Sequence, residues 1–440
     1  MASLDSVLTT TLSPWAERLR ATLNLPVLLR WCLDSGHSRD VAAAPALKLG
    51  DFAEPRVEIR IKDRGAVPLL LSPTLDNLGQ AYVEGRIDLI GSAQDLMAVA
   101  WRLAEAGASD LGKRARTGPF ARVLRQFGRA GNGAALAGQR HSKASDREAI
   151  HYHYDVSNEF YSAWLDPAMV YSCAYFENGD ETLAEAQTKK IDHILNKLRI
   201  EPGQRLLDIG CGWGALVLRA AQTRGARCVG ITLSQNQFDL ARERVRAAGL
   251  QDRVEIRLED YREVRGGFDR IASVGMCEHV GLANLQSYFA RIHELLEPHG
   301  WALNHGITTT DPNNRGTSHD AGSFIDRYVF PQGELPHIGT VLTTMQAGGL
   351  EPIDSENLRR HYARTTRLWS DAFEAAGDRL RDMVGEKTWR IWRIYLAGCP
   401  MAFERDEIAL FQVLCRPAGR KASEAPWSRR FIYQEPASFG

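Results

Sequence analysis

Between residues 184 and 307 the chain switches repeatedly between two hydrophobic periods, and this rhythm restricts the fold more than any other feature. Residues 184–198 carry apolar side chains at helical spacing, and 205–209 is a short apolar run of strand length. The alternation continues as a helix over 215–223, a strand over 227–231, a helix over 236–248 and a strand over 254–258. A strand over 268–274, a helix over 285–296 and a strand over 301–307 complete it. Strands separated by helices of this length pair in parallel, so the pattern predicts an α/β, doubly wound sheet. A later apolar run, 408–414, is expected as an antiparallel edge strand.

Upstream the pattern differs. Residues 14–33 read as a helix through Trp15, Leu19, Leu23, Leu29 and Trp31, with Pro26 kinking or breaking it. Residues 57–62 alternate apolar and charged, and 67–71 return after Asp63-Arg64-Gly65, which predicts a hairpin. Helices over 75–84 and 93–105 complete a small α+β domain spanning 1–112. Residues 113–147 then hold nine Lys or Arg against one acid, Asp146. One reading is a solvated tether. The other is adhesion to anionic head groups, at about 1 kcal/mol per basic residue near the surface, with Phe120, Leu124 and Phe127 interleaved as an interfacial apolar stripe. The expected divisions are a domain over 1–112, a basic linker over 113–150, a main domain over 151–420 and a tail over 421–440.

Basic and acidic residues both number 54, so no net field draws the chain to nucleic acid. Seven cysteines without a CxxC pair argue against a zinc site or a disulfide framework and for a reducing cytosol. No signal peptide and no run of 18 apolar residues is visible, so a lipid partner is expected to be met peripherally, at the inner face of the membrane.

The segment Leu206-Leu207-Asp208-Ile209-Gly210-Cys211-Gly212-Trp213-Gly214 falls where the first strand of the main sheet ends. Gly210 permits the sharp turn, Gly212 lets the backbone approach a ligand, and a helix starting near Gly214 aims free N–H groups at the site. An NAD site wants GxGxxG with an acid about 20 residues later. This loop is GxGxG, and the second strand ends in Gly230-Ile231-Thr232-Leu233-Ser234 without an acid. Asp208 ahead of the glycines instead points to S-adenosylmethionine, with Glu259-Asp260-Tyr261 placed to meet adenine.

Further motifs stand in order along the chain: His153-Tyr154-Asp155, Leu165-Asp166-Pro167, Tyr171-Ser172-Cys173-Ala174-Tyr175-Phe176, Val274-Gly275-Met276-Cys277-Glu278-His279-Val280-Gly281 and Tyr328-Val329-Phe330-Pro331. With the glycine loop they make residues 150–416 resemble the cyclopropane-fatty-acyl-phospholipid synthases and the related mycolic-acid cyclopropane synthases. Ala81-Tyr82-Val83-Glu84-Gly85 resembles the extra N-terminal domain of the phospholipid-acting members. The resemblance implies a Rossmann-like S-adenosylmethionine-dependent methyltransferase sheet with helical insertions, unsaturated phospholipids as partners and a bound bicarbonate. It implies bicarbonate ligands at Cys173 (largely backbone), Glu278, His305, Ile307 (backbone) and Tyr362. It implies donor contacts at Tyr171, Ser172, Gly210, Gly212, Thr232, Leu233 and Gln237, joined by Asp208, Gly214 and Tyr261 from the loop argument. Tyr261 stands where mycolic members often carry tryptophan. The oligomeric state stays open, a homodimer among the options.

The implied reaction sets its own demands. Methylating an alkene leaves a cation on the acyl chain, so the site needs dry walls, a base and electron-rich ring faces. Tyr154, Tyr171, Tyr175, Phe176, Trp213 and Phe330 are the aromatic candidates. Taken alone, Cys173 and His305 read as ordinary core residues, and the aromatic residues as core. Three outcomes remain: a cyclopropane ring, a methylene or methyl-branched chain, or a catalytically silent membrane-binding scaffold. Neutralising Lys113, Arg114, Arg116, Arg122 and Arg125 together is expected to weaken binding to anionic vesicles in low salt; unchanged binding in a sedimentation assay makes the linker a tether.

Overall fold

The computed structural model describes residues 4–31, 44–71, 73–108, 156–313, 321–330 and 333–433. The basic linker, together with His153, Tyr154 and Asp155, lies outside the described residues. Two compact units emerge.

The smaller unit contains a four-stranded sheet ordered β2-β1-β3-β4, from β1 (Val27–Trp31), β2 (Ala46–Lys48), β3 (Val57–Ile61) and β4 (Ile87–Ile90). Strands β1 and β3 run parallel, while β2 and β4 are antiparallel to their neighbours. Two expectations are corrected here. The helix predicted over 14–33 stops at Leu23, and the chain beyond Pro26 is strand, burying Val27, Leu29 and Trp31 on one face. The hairpin predicted at 67–71 is the helix Ala66–Leu71, which buries Ala66, Val67, Leu70 and Leu71. A five-residue apolar run does not distinguish the two periods. Pro68 decides it, because a proline in the first helical turn removes no needed donor, whereas in a ladder it does.

This unit also takes in residues 321–329 and Gly377–Gly398, which the sequence reading had placed inside 151–420. Specific bonds draw them there. Arg390 donates to the carbonyls of Tyr82 (2.8 Å) and Ile87 (3.2 Å) and pairs with Asp88 at 2.6 Å. Arg393 donates to the carbonyls of Leu89 (3.2 Å) and Gly91 (3.0 Å). Phe324 fills the space over Gly79, where a Cβ would lie 2.7 Å from its ring.

The larger unit is a seven-stranded sheet formed by β5 (Arg205–Ile209), β6 (Arg227–Thr232), β7 (Val254–Leu258), β8 (Phe268–Val274), β9 (Leu296–Thr309), β10 (Leu350–Asn357) and β11 (Ile408–Pro417). Its order is β10-β11-β9-β8-β5-β6-β7, with β5 to β9 parallel and β11 antiparallel to both neighbours. The pleat sends Leu206 into one core layer, with Ile194, Val217 and Leu414, and Leu207 and Ile209 into the other, with Phe268, Phe289 and Val413. The strand at 408–417 is antiparallel as expected but interior. The edge belongs to β10, whose Glu351, Pro352, Asp354 and Glu356 hide it from a search for apolar runs. Its register shifts between Pro352 and Asp354, and charge, proline and a bulge all discourage further strand pairing. The chain runs β5-β6-β7 to one side and returns through β8 and β9 on the other. The switch point, where ligands bind in such sheets, therefore lies beyond the carboxyl ends of β5 and β8.

Replacing Arg390 with Ala removes its bonds to two carbonyls and to Asp88, which keeps Lys62 at 3.2 Å. Urea unfolding is expected to show a loss of about 1–3 kcal/mol; an unchanged midpoint would remove Arg390 from the stability of this unit.

Candidate active site

At the switch point the chain leaves β5 through three glycines in the left-handed region: Gly210 (φ 80°), Gly212 (φ 54°) and Gly214 (φ 84°). A Cβ on Gly210 would sit 2.6 Å from the Met276 side chain, so both conformation and space demand glycine. Gly214 caps the helix Ala215–Arg224, whose first amides open toward the cleft. Tyr171, Ser172, Asp208, Gly210, Gly212, Thr232, Leu233, Gln237 and Tyr261 all line this one cleft. Thr232 Oγ1 donates to Gln237 Oε1 at 2.7 Å, locking the β6 end to the next helix. Tyr261 meets Tyr288 edge to face at 4.9 Å. Gly214 does not line the cleft; its part is to start the helix.

Asp208 is 2% exposed, and its Oδ1 is buried without a partner among the described residues. Burial pushes its carboxyl up to about 7, against the pull of Lys190. An unpaired buried acceptor beside a glycine loop suits a cationic ligand group. The residues present therefore fit a methionine-type ammonium.

A second cluster lies at the β8 and β9 ends. Cys173, Leu358, Phe403 and Leu410 form a small core against which Tyr175, Ile307 and Tyr362 pack. Glu278, in the helix Cys277–Val280 after β8, is buried, and its Oε1 accepts the Ile307 N–H at 2.7 Å. Burial raises its carboxyl above the usual range, and the Ile307 bond opposes that rise. His305 precedes Ile307 by two residues on β9 and is 1% exposed. Gln412 Nε2 lies 3.1 Å from its Nδ1. With the amide as donor, the ring hydrogen sits on Nε2, which is buried with no partner among the described residues. Burial first, then Lys190, holds the imidazole well below its ordinary value, so it is neutral. Burial likewise pushes the Cys173 thiol far up, which leaves it protonated and not nucleophilic.

The five residues expected around an anion are thus gathered as follows. Cys173, Ile307 and Tyr362 share one cluster, Glu278 is bonded to Ile307, and His305 is Ile307's neighbour on the same strand face. The Ile307 amide hydrogen already goes to Glu278, so here Ile307 orients the carboxylate. A buried N–H on His305 and an oriented carboxylate fit a small protonated anion such as bicarbonate.

Of the aromatic candidates, Tyr171 packs 5.2 Å from Trp369 and 5.5 Å from Trp164. Trp213 packs 5.0 Å from Tyr161 and donates to Asn158 at 2.7 Å. Tyr175 is stacked between His193 (4.3 Å) and His361 (4.8 Å), Phe176 packs in a separate small cluster, and Phe330 stands 5.6 Å from His279. Sequence reasoning missed Lys190, Gln187 and Trp369. Nothing in their local pattern separates them from ordinary helix or loop residues.

A family model described as mycolic acid cyclopropane synthetase matches residues 141–413. The chain belongs to this family. It is accordingly an S-adenosylmethionine-dependent methyltransferase with a Rossmann-like sheet. It is 43% identical to a probable fatty acid methyltransferase of Pseudomonas putida, across 86% of this chain and 92% of that one. It is 38% identical to the cyclopropane-fatty-acyl-phospholipid synthase of Escherichia coli (strain K12), across 60% and 66% of the two chains. The solved mycolic acid cyclopropane synthase CmaA1, complexed with SAH and CTAB, superposes with a TM-score of 0.59 at 36% identity, over 61% of this chain and 97% of that one. A domain family of unknown function matches residues 46–110.

The raised Asp208 carboxyl sets a pH dependence. In the ligand-free protein its contribution to stability is full below its ordinary value of 3.8 and is lost as pH rises through about 7. A cationic ligand favours the ionised form, so adenosylmethionine binding is expected to weaken as pH falls below about 7 and to release protons near pH 6. Calorimetry in buffers of different ionisation enthalpy measures this; pH-independent affinity would exclude Asp208. Gly210→Ala is expected to lower the same affinity at least about tenfold, since both clash and φ oppose it.

Proposed function

We propose that the chain transfers a one-carbon unit from S-adenosylmethionine to the cis double bond of an unsaturated phospholipid acyl chain and closes a cyclopropane ring. The observation that carries this is the pairing of a donor cleft with an adjoining buried cluster in which Glu278 is held in place by the Ile307 amide at 2.7 Å. Tyr171, Ser172 and Cys173 are consecutive and reach from one to the other.

The chain's own groups account for the work around the reacting centre. The rings of Tyr171 and Trp213, which line the cleft, would supply electron density that stabilises a cation. The apolar packing of Leu358, Phe403 and Leu410 excludes water that would trap it as an alcohol. Glu278, oriented by the Ile307 amide, would hold a bicarbonate with neutral His305, Tyr362 and the Cys173 backbone. Bound there, that ion supplies the base for the proton lost from the new methyl group. Cys173 contributes a small protonated thiol and no covalent bond.

The N-terminal segment resembling the phospholipid-acting members, and the Escherichia coli relative named for phospholipid, support that substrate class over mycolic acids. The basic linker supports peripheral docking on anionic head groups, although it lies outside the described residues. A second reading has support from the Pseudomonas putida relative, whose name specifies only fatty acid methylation. In that reading the cation shifts and loses a neighbouring proton, leaving a methylene or an unsaturated methyl-branched chain.

Incubation with unsaturated phosphatidylglycerol vesicles and labelled adenosylmethionine, followed by NMR of the fatty acids, separates the two readings. Ring methylene signals are expected, and a branched or exomethylene product would favour the second. Glu278→Gln is expected to lower turnover by roughly 10²–10⁴-fold while adenosylmethionine affinity stays within a few fold. A fully active variant would remove Glu278 from the reaction.

A further inference from the structure

The helix Leu183–Leu198 starts at a capping box between Thr182 and Glu185, and among its buried polar side chains Gln187 and Lys190 stand one turn apart. They are 1% and 2% exposed. Gln187 Nε2 donates to the carbonyls of Val170 (3.2 Å) and Ser172 (2.8 Å). Lys190 Nζ donates to Ser172 Oγ at 2.8 Å and lines the same cleft as Asp208 and Gly210. The pair therefore grips the 170–172 backbone and side chains, directly before Cys173.

A buried ammonium is costly, and it is out of place in a cleft that must accept a sulfonium unless it acts on a neighbour. The groups that bear on Lys190 are the carboxyls of Asp166 and Asp208 and the protonated thiol of Cys173, and it in turn bears on His305. Asp166 is already occupied, accepting the amides of Ala168 and Val170 at 2.9 Å each. Asp208, with its partnerless Oδ1, is the group left to respond; it is otherwise surrounded by the neutral thiols of Cys211 and Cys228.

We propose that Lys190 is a positioning residue for the methyl donor, fixing the Tyr171–Cys173 segment through Ser172 and placing a positive charge on the cleft wall that it shares with Asp208. This rests on adenosylmethionine as the occupant of the cleft. The lysine carries both tasks: its hydrogen bond acts on geometry and its charge acts on Asp208. Gln187 shares only the first task.

The test measures the Asp208 carboxyl by ¹³C NMR titration of the ligand-free full chain, and adenosylmethionine affinity by calorimetry, in three variants. Lys190→Gln keeps a donor and loses the charge. Its Asp208 midpoint is expected to rise, and affinity at pH 7 to fall about fivefold for the first unit of that rise and about tenfold for each further unit. Lys190→Met loses both and is expected to bind more weakly still; if it does not fold, Lys190→Gln carries the test. Gln187→Met keeps the charge, so the midpoint is expected to stay while the KM for adenosylmethionine rises. An unchanged Asp208 midpoint in Lys190→Gln, with only thermal stability reduced, would overturn the proposal and make the lysine structural. Failure of the wild-type chain to bind adenosylmethionine would instead overturn the assignment of the cleft.

Discussion

Removing water from around charge is the constraint on which this structure depends. Asp208, Glu278, His305 and Lys190 are each at least 92% buried, and each is displaced from its ordinary protonation behaviour chiefly by that burial. A surface site would leave these groups solvated and interchangeable. Here each has a defined state set by a few neighbours: Glu278 by the Ile307 amide, His305 by Gln412, and Asp208 by Lys190. Leu358, Phe403 and Leu410 give the site proposed for a carbocation apolar walls.

The sheet builds the site at two adjacent strand ends. The glycine loop after β5 opens the donor cleft, and the turn after β8 sends Glu278 toward β9. Because β5 and β8 are neighbours, a ligand at one is next to the cluster at the other. The consecutive residues Tyr171, Ser172 and Cys173 link them, which explains why an extended segment outside the sheet carries so many polar attachments.

Much of this was legible in the sequence, for physical reasons. Parallel strands buried on both faces read as apolar runs, so β5 to β9 were found, as was the glycine loop. The edge strand β10 was missed because an edge tolerates Glu351, Pro352 and Asp354, which erase the apolar signal. The helix Ala66–Leu71 and the strand Val27–Trp31 were misread because short apolar runs fit both periods. The recruitment of residues 377–398 to the N-terminal unit depends on Arg390 and Arg393 reaching backbone carbonyls, a tertiary event with no local trace. Lys190 was invisible for a related reason. A lysine in an amphipathic helix normally faces water, and only the fold shows that this one does not.

The central claim is that a methyl carbon is delivered to an alkene and then loses one hydrogen inside this pocket. The most direct measurement supplies adenosylmethionine with a fully deuterated methyl group and weighs the modified acyl chain by mass spectrometry. The added carbon is expected to keep two deuterons, with the third passing to solvent. An added carbon that keeps all three would show that the new methyl group is never deprotonated, and would contradict that claim.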